Sequence, residues 1–284
     1  MLKQCIELIK PERTLANVIT GLAGFLLASK WHMHATLLVA TLGGMSLIVA
    51  SACALNNYID RNLDARMPRT KKRVLASKQL APSLVLGYAV MLGIAGFVVL
   101  GLFVNALVTV LGAIAYVDYI VLYGYSKRRS AHSTLIGTIS GAMPIAAGYC
   151  AVTDRIDAAA IILFMSMVCW QMPHFYAIAI FRMKDYRAGN IPVLPLVKGV
   201  HRTKVQMLIY TALFILAALS LSIFGHTGYI YAVVIALLGA DWLWRGMHGF
   251  HTENDTIWAR KMFFFSLKAL LVFCLMVAVG GLLP

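Results

Sequence analysis

The sequence predicts an all-α, polytopic membrane protein with nine transmembrane helices. Three observations carry that expectation. Hydrophobic residues make up 61% of the chain and charged residues 13%, with a mean hydropathy of +0.80, far from the balance of a water-soluble protein. The apolar residues gather in stretches near the roughly 20 residues that a helix needs to cross a bilayer. The cations fall between those stretches with a strong bias to one side.

Taken in order, the first stretch, 15–29, is short and follows Lys3, Lys10 and Arg13. It opens the nine-helix pattern and is read as a retained helix, not a cleavable leader. The second, 35–55, precedes a basic loop from Arg61 to Lys78; 84–104 and 106–124 follow, and Lys127, Arg128 and Arg129 close that pair. Next come 131–152 and 158–181, the latter running into six cations between Arg182 and Lys204. The set ends with 205–224, the marginal 229–245, and 263–283, with Arg245, Arg260 and Lys261 between the last two. Residues 1–284 are read as one integral-membrane domain.

With nine spans, 22 of the 25 Lys and Arg fall on one side, against Lys30 and Arg155 on the other and Lys268 just inside the last helix. By the positive-inside rule the N-terminus and the long loops are cytoplasmic. Dropping or adding a central span would scramble the bias. The net charge of +14 is spread over several loops next to the membrane, so topology and anionic lipid account for it and nucleic acid is excluded as a partner. The five cysteines are scattered without C-x-x-C spacing, as small core residues. Glycines recur within spans, Gly137 and Gly141 among them, as close helix packing requires.

The chemistry gathers where the second span ends. Asn56, Asp60 and Asp64 recur every four residues in a chain with only 11 carboxylates. On a helix they fall within roughly 80° of one face over about 12 Å of axis. Asp60 and Asp64 are then a like-charge pair that a divalent cation between them would relieve. Carboxylate and amide oxygens suit Mg²⁺, which is usually held by one or two carboxylates together with substrate phosphates. Immediately after come Arg66, Arg69, Lys71, Lys72 and Arg73, cations that clamp the same phosphate oxygens a metal bridges.

Two more cytoplasmic ends repeat the theme. Tyr123 and Lys127 stand four apart at the end of the fourth span, and Asp185 follows the sixth, ahead of a loop held irregular by Pro192 and Pro195. The second, fourth and sixth spans end on one side, so these tips can converge. Within the sixth, the run Trp170-Gln171-Met172-Pro173-His174-Phe175 puts an ionisable ring inside an apolar span. His174 is a candidate ligand for a metal macrocycle unless it bonds the carbonyl freed by Pro173, and His132 is a weaker candidate. Asp118 and Asp241 receive no role.

The N-x-x-x-D-x-x-x-D stripe of Asn56, Asp60 and Asp64, with Tyr123-x-x-x-Lys127, resembles the UbiA superfamily of intramembrane prenyltransferases. The strings Asn56 to Arg61, Arg69-Thr70-x-x-Arg73, Trp170 to Phe175 and Asp185-Tyr186 through Pro195 resemble its haem branch, the protoheme IX farnesyltransferases, over nearly the whole chain and closest to proteobacterial members. Where quinone-type members carry a second D-x-x-x-D, Asp185 here is followed by Gly189, again like the haem branch. The resemblance implies transfer of farnesyl from farnesyl diphosphate to a vinyl group of haem b, with water addition, in a bacterial inner membrane. It implies Mg²⁺ on Asn56, Asp60, Asp64 and Asp185, and catalytic roles for Asp60, Asp64, Tyr123, Lys127 and Asp185. Arg69, Arg73 and Lys127 would bind diphosphate, His174 and Trp170 would bind haem, and the product would pass to a terminal oxidase or haem A synthase.

Two other readings stand beside it. An aromatic acceptor such as a hydroxybenzoate would keep the diphosphate site, but lacks support from the missing second D-x-x-x-D. A transporter of an anionic or metal-bound solute would place its site near the midplane, often in repeated halves; here the polar residues gather at helix ends.

Overall fold

The computed structural model describes residues 2–284 and is built of helices, with no strand among the described residues. A short α1 (Leu2–Ile9) leads into α2 (Pro11–Ser29) and the long α3 (Ala35–Asp64). Beyond a loop come α4 (Pro82–Phe103) and α5 (Ala106–Val117), which continues through a π turn (Asp118–Leu122) into α6 (Tyr123–Ser126). Then follow α7 (Ser133–Thr153), α8 (Ala158–Phe181), the short α9 (Met183–Ala188) and α10 (Leu194–Val197), α11 (Val200–Ile223), α12 (Tyr229–His248) with a 3₁₀ turn at Gly249–His251, and α13 (Asp255–Gly280).

Among the described residues eight helices, the α5–α6 rod counted as one, are long and apolar enough to cross a membrane. The expected first span, 15–29, lies on α2, which has 19 residues with Glu12 in its first turn and Arg13 beside it, charges that keep it outside that set of eight. It packs extensively on α7 and α13 and runs from the cavity it shares with Arg69 and Arg73 to Trp31, whose Nε1 donates to the Ala278 carbonyl near the end of α13. Side-chain caps set several starts: Asn105 accepts from the Val108 N–H at 2.8 Å, and Asp157 from the Ala160 N–H at 3.2 Å.

Lipid exposure sorts the helices. The apolar windows of α7 and α8 are 61% buried, against 17% for the α5–α6 rod, so α7 and α8 form the centre and α5 lies at the periphery. Ile94, Leu102, Val110, Leu216 and Leu237 are exposed on the outer helices, where the solvent is hydrocarbon and an apolar surface costs nothing.

At 30 residues α3 is about 45 Å long at 1.5 Å per residue. Its apolar part spans the roughly 30 Å core, so the turns from Asn56 to Asp64 project past it into the polar interface. The tips of α6 and α8 meet it there, since Arg128 reaches Asp60 and Arg69 approaches Asp185. The three tips therefore converge at one end of the bundle, as their spacing in the sequence predicts.

Contact between backbones holds α2 against α7. A methyl group at Gly24 would overlap the Ile145 carbonyl oxygen, and one at Gly148 the Gly21 carbonyl oxygen. Gly24→Ala and Gly148→Ala should each destabilise the protein by about 1–3 kcal/mol, as overpacking does. Gly43, which has open space around its Cα, should accept alanine without loss, so thermal unfolding in detergent of the three variants separates close approach from helix propensity.

Candidate active site

The last turns of α3 bury the polar stripe: Asn56, Asp60 and Asp64 are 7%, 6% and 3% exposed. Each acid is clamped by cations from outside the helix. Lys127, capping α6, donates from Nζ to Asp60 Oδ2 at 2.5 Å and to Asn56 Oδ1 at 3.1 Å. Arg128 donates to the other Asp60 oxygen at 3.1 Å. Arg73 Nη1 lies 2.8 Å from both oxygens of Asp64, and the Thr70 hydroxyl donates to the Asp64 carbonyl at 2.9 Å. The loop after α3 thus folds back onto the helix it leaves.

Burial pushes the pKa of Lys127 below its ordinary value, and the Asp60 carboxylate pulls it back. Asp185, near the end of α9's first turn, has Arg69 Nε and Arg182 Nη1 each at 3.9 Å. With Arg73 on Asp64 and Arg69 near Asp185, one loop connects the two acidic sites. Among the described residues no three acidic, histidine or cysteine side chains form a metal-binding group. The donors that do gather, two buried carboxylates and an amide oxygen one turn apart, fit a hard divalent ion whose remaining ligands come from phosphate and water.

Tyr123 turns its ring to Lys127, 5.5 Å from Nζ, and stacks on Tyr119 at 5.9 Å. Gly137 makes room for that ring, while Gly141 faces the Gln171 amide; the two glycines are packing positions, as their spacing implies. Arg13, near the start of α2, is exposed and lines a cavity together with Arg69 and Arg73. Sequence reasoning counted Arg13 only as a topology signal.

His174 does not bond the carbonyl freed by Pro173. Its Nδ1 meets Ser266 Oγ of α13 at 2.8 Å, and that hydroxyl donates to the Phe263 carbonyl at 2.6 Å. Trp170 stacks on the His174 ring at 4.9 Å and donates from Nε1 to the Ser266 carbonyl at 2.9 Å. Ser266, 92 residues away, carried no sequence signal. Elsewhere, His132 is exposed at the start of α7, Asp118 accepts from the Ser140 N–H at 3.0 Å, and Asp241 pairs with Arg245 at 2.8 Å, one turn on. That last partner is legible as an i,i+4 pair.

Residues 17–267 match the model of the UbiA prenyltransferase family. The chain is 48% identical over 280 residues to the protoheme IX farnesyltransferase of Serratia proteamaculans, covering 98% of this chain and 95% of that one. It is 47% identical over 285 residues to that of an Enterobacter species, covering 100% and 97%. Among solved structures, a digeranylgeranylglyceryl phosphate synthase superposes with TM-score 0.82 at 18% identity, covering 99% of this chain and 98% of that one. A UbiA homologue from Archaeoglobus fulgidus, bound to DMAPP and Mg²⁺, superposes with TM-score 0.75 at 10% identity over 94% and 99%.

One cation near the site lies outside the spans and is strongly perturbed. Burial, then Arg13 and Arg73, bring the Lys10 pKa down to about 7. An unfolded chain binds that proton more tightly, so ligand-free stability rises as pH is raised from about 7 towards 10.5. The thermal midpoint of the native protein relative to a Lys10→Met variant should therefore climb between pH 7 and 9, measured side by side in the same detergent.

Proposed function

The chain belongs to the UbiA prenyltransferase family, and on that premise we propose that it transfers the farnesyl group of farnesyl diphosphate to a vinyl group of haem b, with addition of water, to give haem O. The acceptor follows from near-half identity along the whole chain to proteins of that activity. The observation that carries the chemistry is the buried Asn56, Asp60 and Asp64 stripe, clamped by cations at one end of an apolar bundle.

Those ion pairs are exchangeable. Asp60 and Asp64 use Lys127, Arg128 and Arg73 as counter-ions, and the same cations serve a diphosphate when it arrives. Asn56, Asp60 and Asp64, together with Asp185, would hold a Mg²⁺ ion, which would supply positive charge to the departing diphosphate. Lys127, Arg69 and Arg73 stabilise the same developing charge. Tyr123 supports Lys127 through its ring and offers its hydroxyl to the diphosphate.

The bond that breaks joins the farnesyl carbon to the bridging oxygen, and its electron pair leaves with diphosphate. The terminal vinyl carbon of haem then supplies a π pair to the allylic cation, forming the new carbon–carbon bond. Positive charge moves next to the pyrrole ring, water adds there, and its proton goes to the released diphosphate. The apolar helix walls exclude other water from the first cation and accept the farnesyl tail.

His174 is the haem ligand in this reading. The Ser266 hydroxyl spends its hydrogen on Phe263 and accepts from Nδ1–H, which leaves the Nε2 lone pair for iron. Nε2 has no hydrogen-bond partner among the described residues. Trp170 holds the ring plane. The same reading makes residues 1–284 one prenyltransferase unit in a bacterial inner membrane, with its N-terminus and site cytoplasmic and its product passed to a terminal oxidase or haem A synthase.

Purified protein given haem b, farnesyl diphosphate and Mg²⁺ should yield a farnesylated, hydroxylated haem by mass spectrometry, and EDTA should abolish it. Asp60→Asn and Asp64→Asn should each lower turnover by about a hundredfold or more while the protein stays folded. Near-normal turnover in both variants, or a prenylated hydroxybenzoate in place of the haem product, would overturn the reading. His174→Ala should shift the Soret band of bound haem and leave the KM for farnesyl diphosphate unchanged, and Ser266→Ala should do the same more weakly.

A further inference from the structure

Lys10, Arg13, Arg69 and Arg73 line one cavity of about 260 Å³ between α1, the start of α2 and the loop after α3. Two of these cations are engaged, Arg73 on Asp64 and Arg69 near Asp185. Lys10 and Arg13 have no carboxylate at ion-pair distance among the described residues, although Glu7 and Glu12 line the same cavity and are exposed.

Lys10 is the informative member. The residue is 8% exposed, its ammonium makes no hydrogen bond, and it is not among the sealed, unpartnered atoms, so the charge is turned into the cavity. Its place is fixed by the chain around it. Asn57 donates to the Leu8 carbonyl at 3.1 Å and so ties the end of α1 to α3, and Lys10 itself turns through φ 48° ahead of Pro11. A buried ammonium without a partner is unfavourable until an anion completes it.

Arg13 follows Pro11 and Glu12 at the start of α2, the helix that packs on α7 and α13. In the proposed reading the diphosphate already has Lys127 beside Asp60 and Arg69 and Arg73 on the loop after α3, which leaves Lys10 and Arg13 as the cations of this cavity without an assigned anion. Two separate cations on the α1–α2 side match two separate carboxylates on flexible arms better than they match one compact polyphosphate. Resting on the haem reading of the site, we infer that Lys10 and Arg13 bind the propionate carboxylates of the porphyrin substrate.

The test compares haem b with its propionate dimethyl ester, by absorbance titration of the purified protein, and measures the KM for farnesyl diphosphate alongside. Wild-type protein should bind the free acid more tightly than the ester. Lys10→Met and Arg13→Met should each weaken the free acid by about tenfold, as loss of a charge-assisted hydrogen bond does, and leave ester affinity and the KM for farnesyl diphosphate unchanged; Lys10→Arg should restore the preference. Equal wild-type affinity for acid and ester would overturn the inference while leaving haem as the acceptor. A rise in the KM for farnesyl diphosphate with unchanged haem affinity would overturn it in favour of a diphosphate subsite. Wild-type protein that binds neither porphyrin would overturn the haem reading itself.

Discussion

Two buried carboxylates at the tip of α3 organise everything around them. Asp60 and Asp64 lie one turn apart, nearly sealed from water, where a bare negative charge costs several kcal/mol even after relaxation. Each must be neutralised, and the chain brings cations from separate segments to do so: Lys127 and Arg128 after α6, Arg73 from the loop beyond α3. A buried ion pair of this kind gains little stability over a packed apolar pair. Its value here lies in exchange, since a pair held by cations alone can be reopened by a metal and a polyanion that bring charges of both signs.

The membrane part of the fold makes that exchange local. The apolar segment of α3 is long enough to cross the bilayer core and its last turns extend beyond it, so the charges sit at the polar end of an apolar bundle. Glycine contacts keep the frame rigid: α2 and α7 meet backbone to backbone, and Gly137 seats the Tyr123 ring beneath Lys127. A site mounted on helix ends of a packed bundle holds its geometry better than one on free loops.

Features governed by helix period were legible in the sequence. The stripe on α3, the spans, the convergence of three helix tips and the roles of Gly137 and Gly141 all follow from spacing and burial. The short first span lies on α2, where Glu12 and Arg13 at the start of an otherwise apolar helix set it apart from the eight longer apolar spans. Asp241 had its partner four residues on, a signal present in the sequence and passed over. Contacts between distant segments left no such signal. Ser266 beneath His174, Lys127 on Asp60 and the cavity facing Lys10 depend on how helices pack, and no local pattern encodes that.

The most direct test of the exchange is a structure of the protein with Mg²⁺ and a non-hydrolysable farnesyl diphosphate analogue. The account predicts the ion on Asp60 and Asp64, with Lys127 and Arg73 turned from the carboxylates onto phosphate oxygens. Carboxylates still paired with Lys127 and Arg73, with ion and diphosphate bound elsewhere, would contradict it.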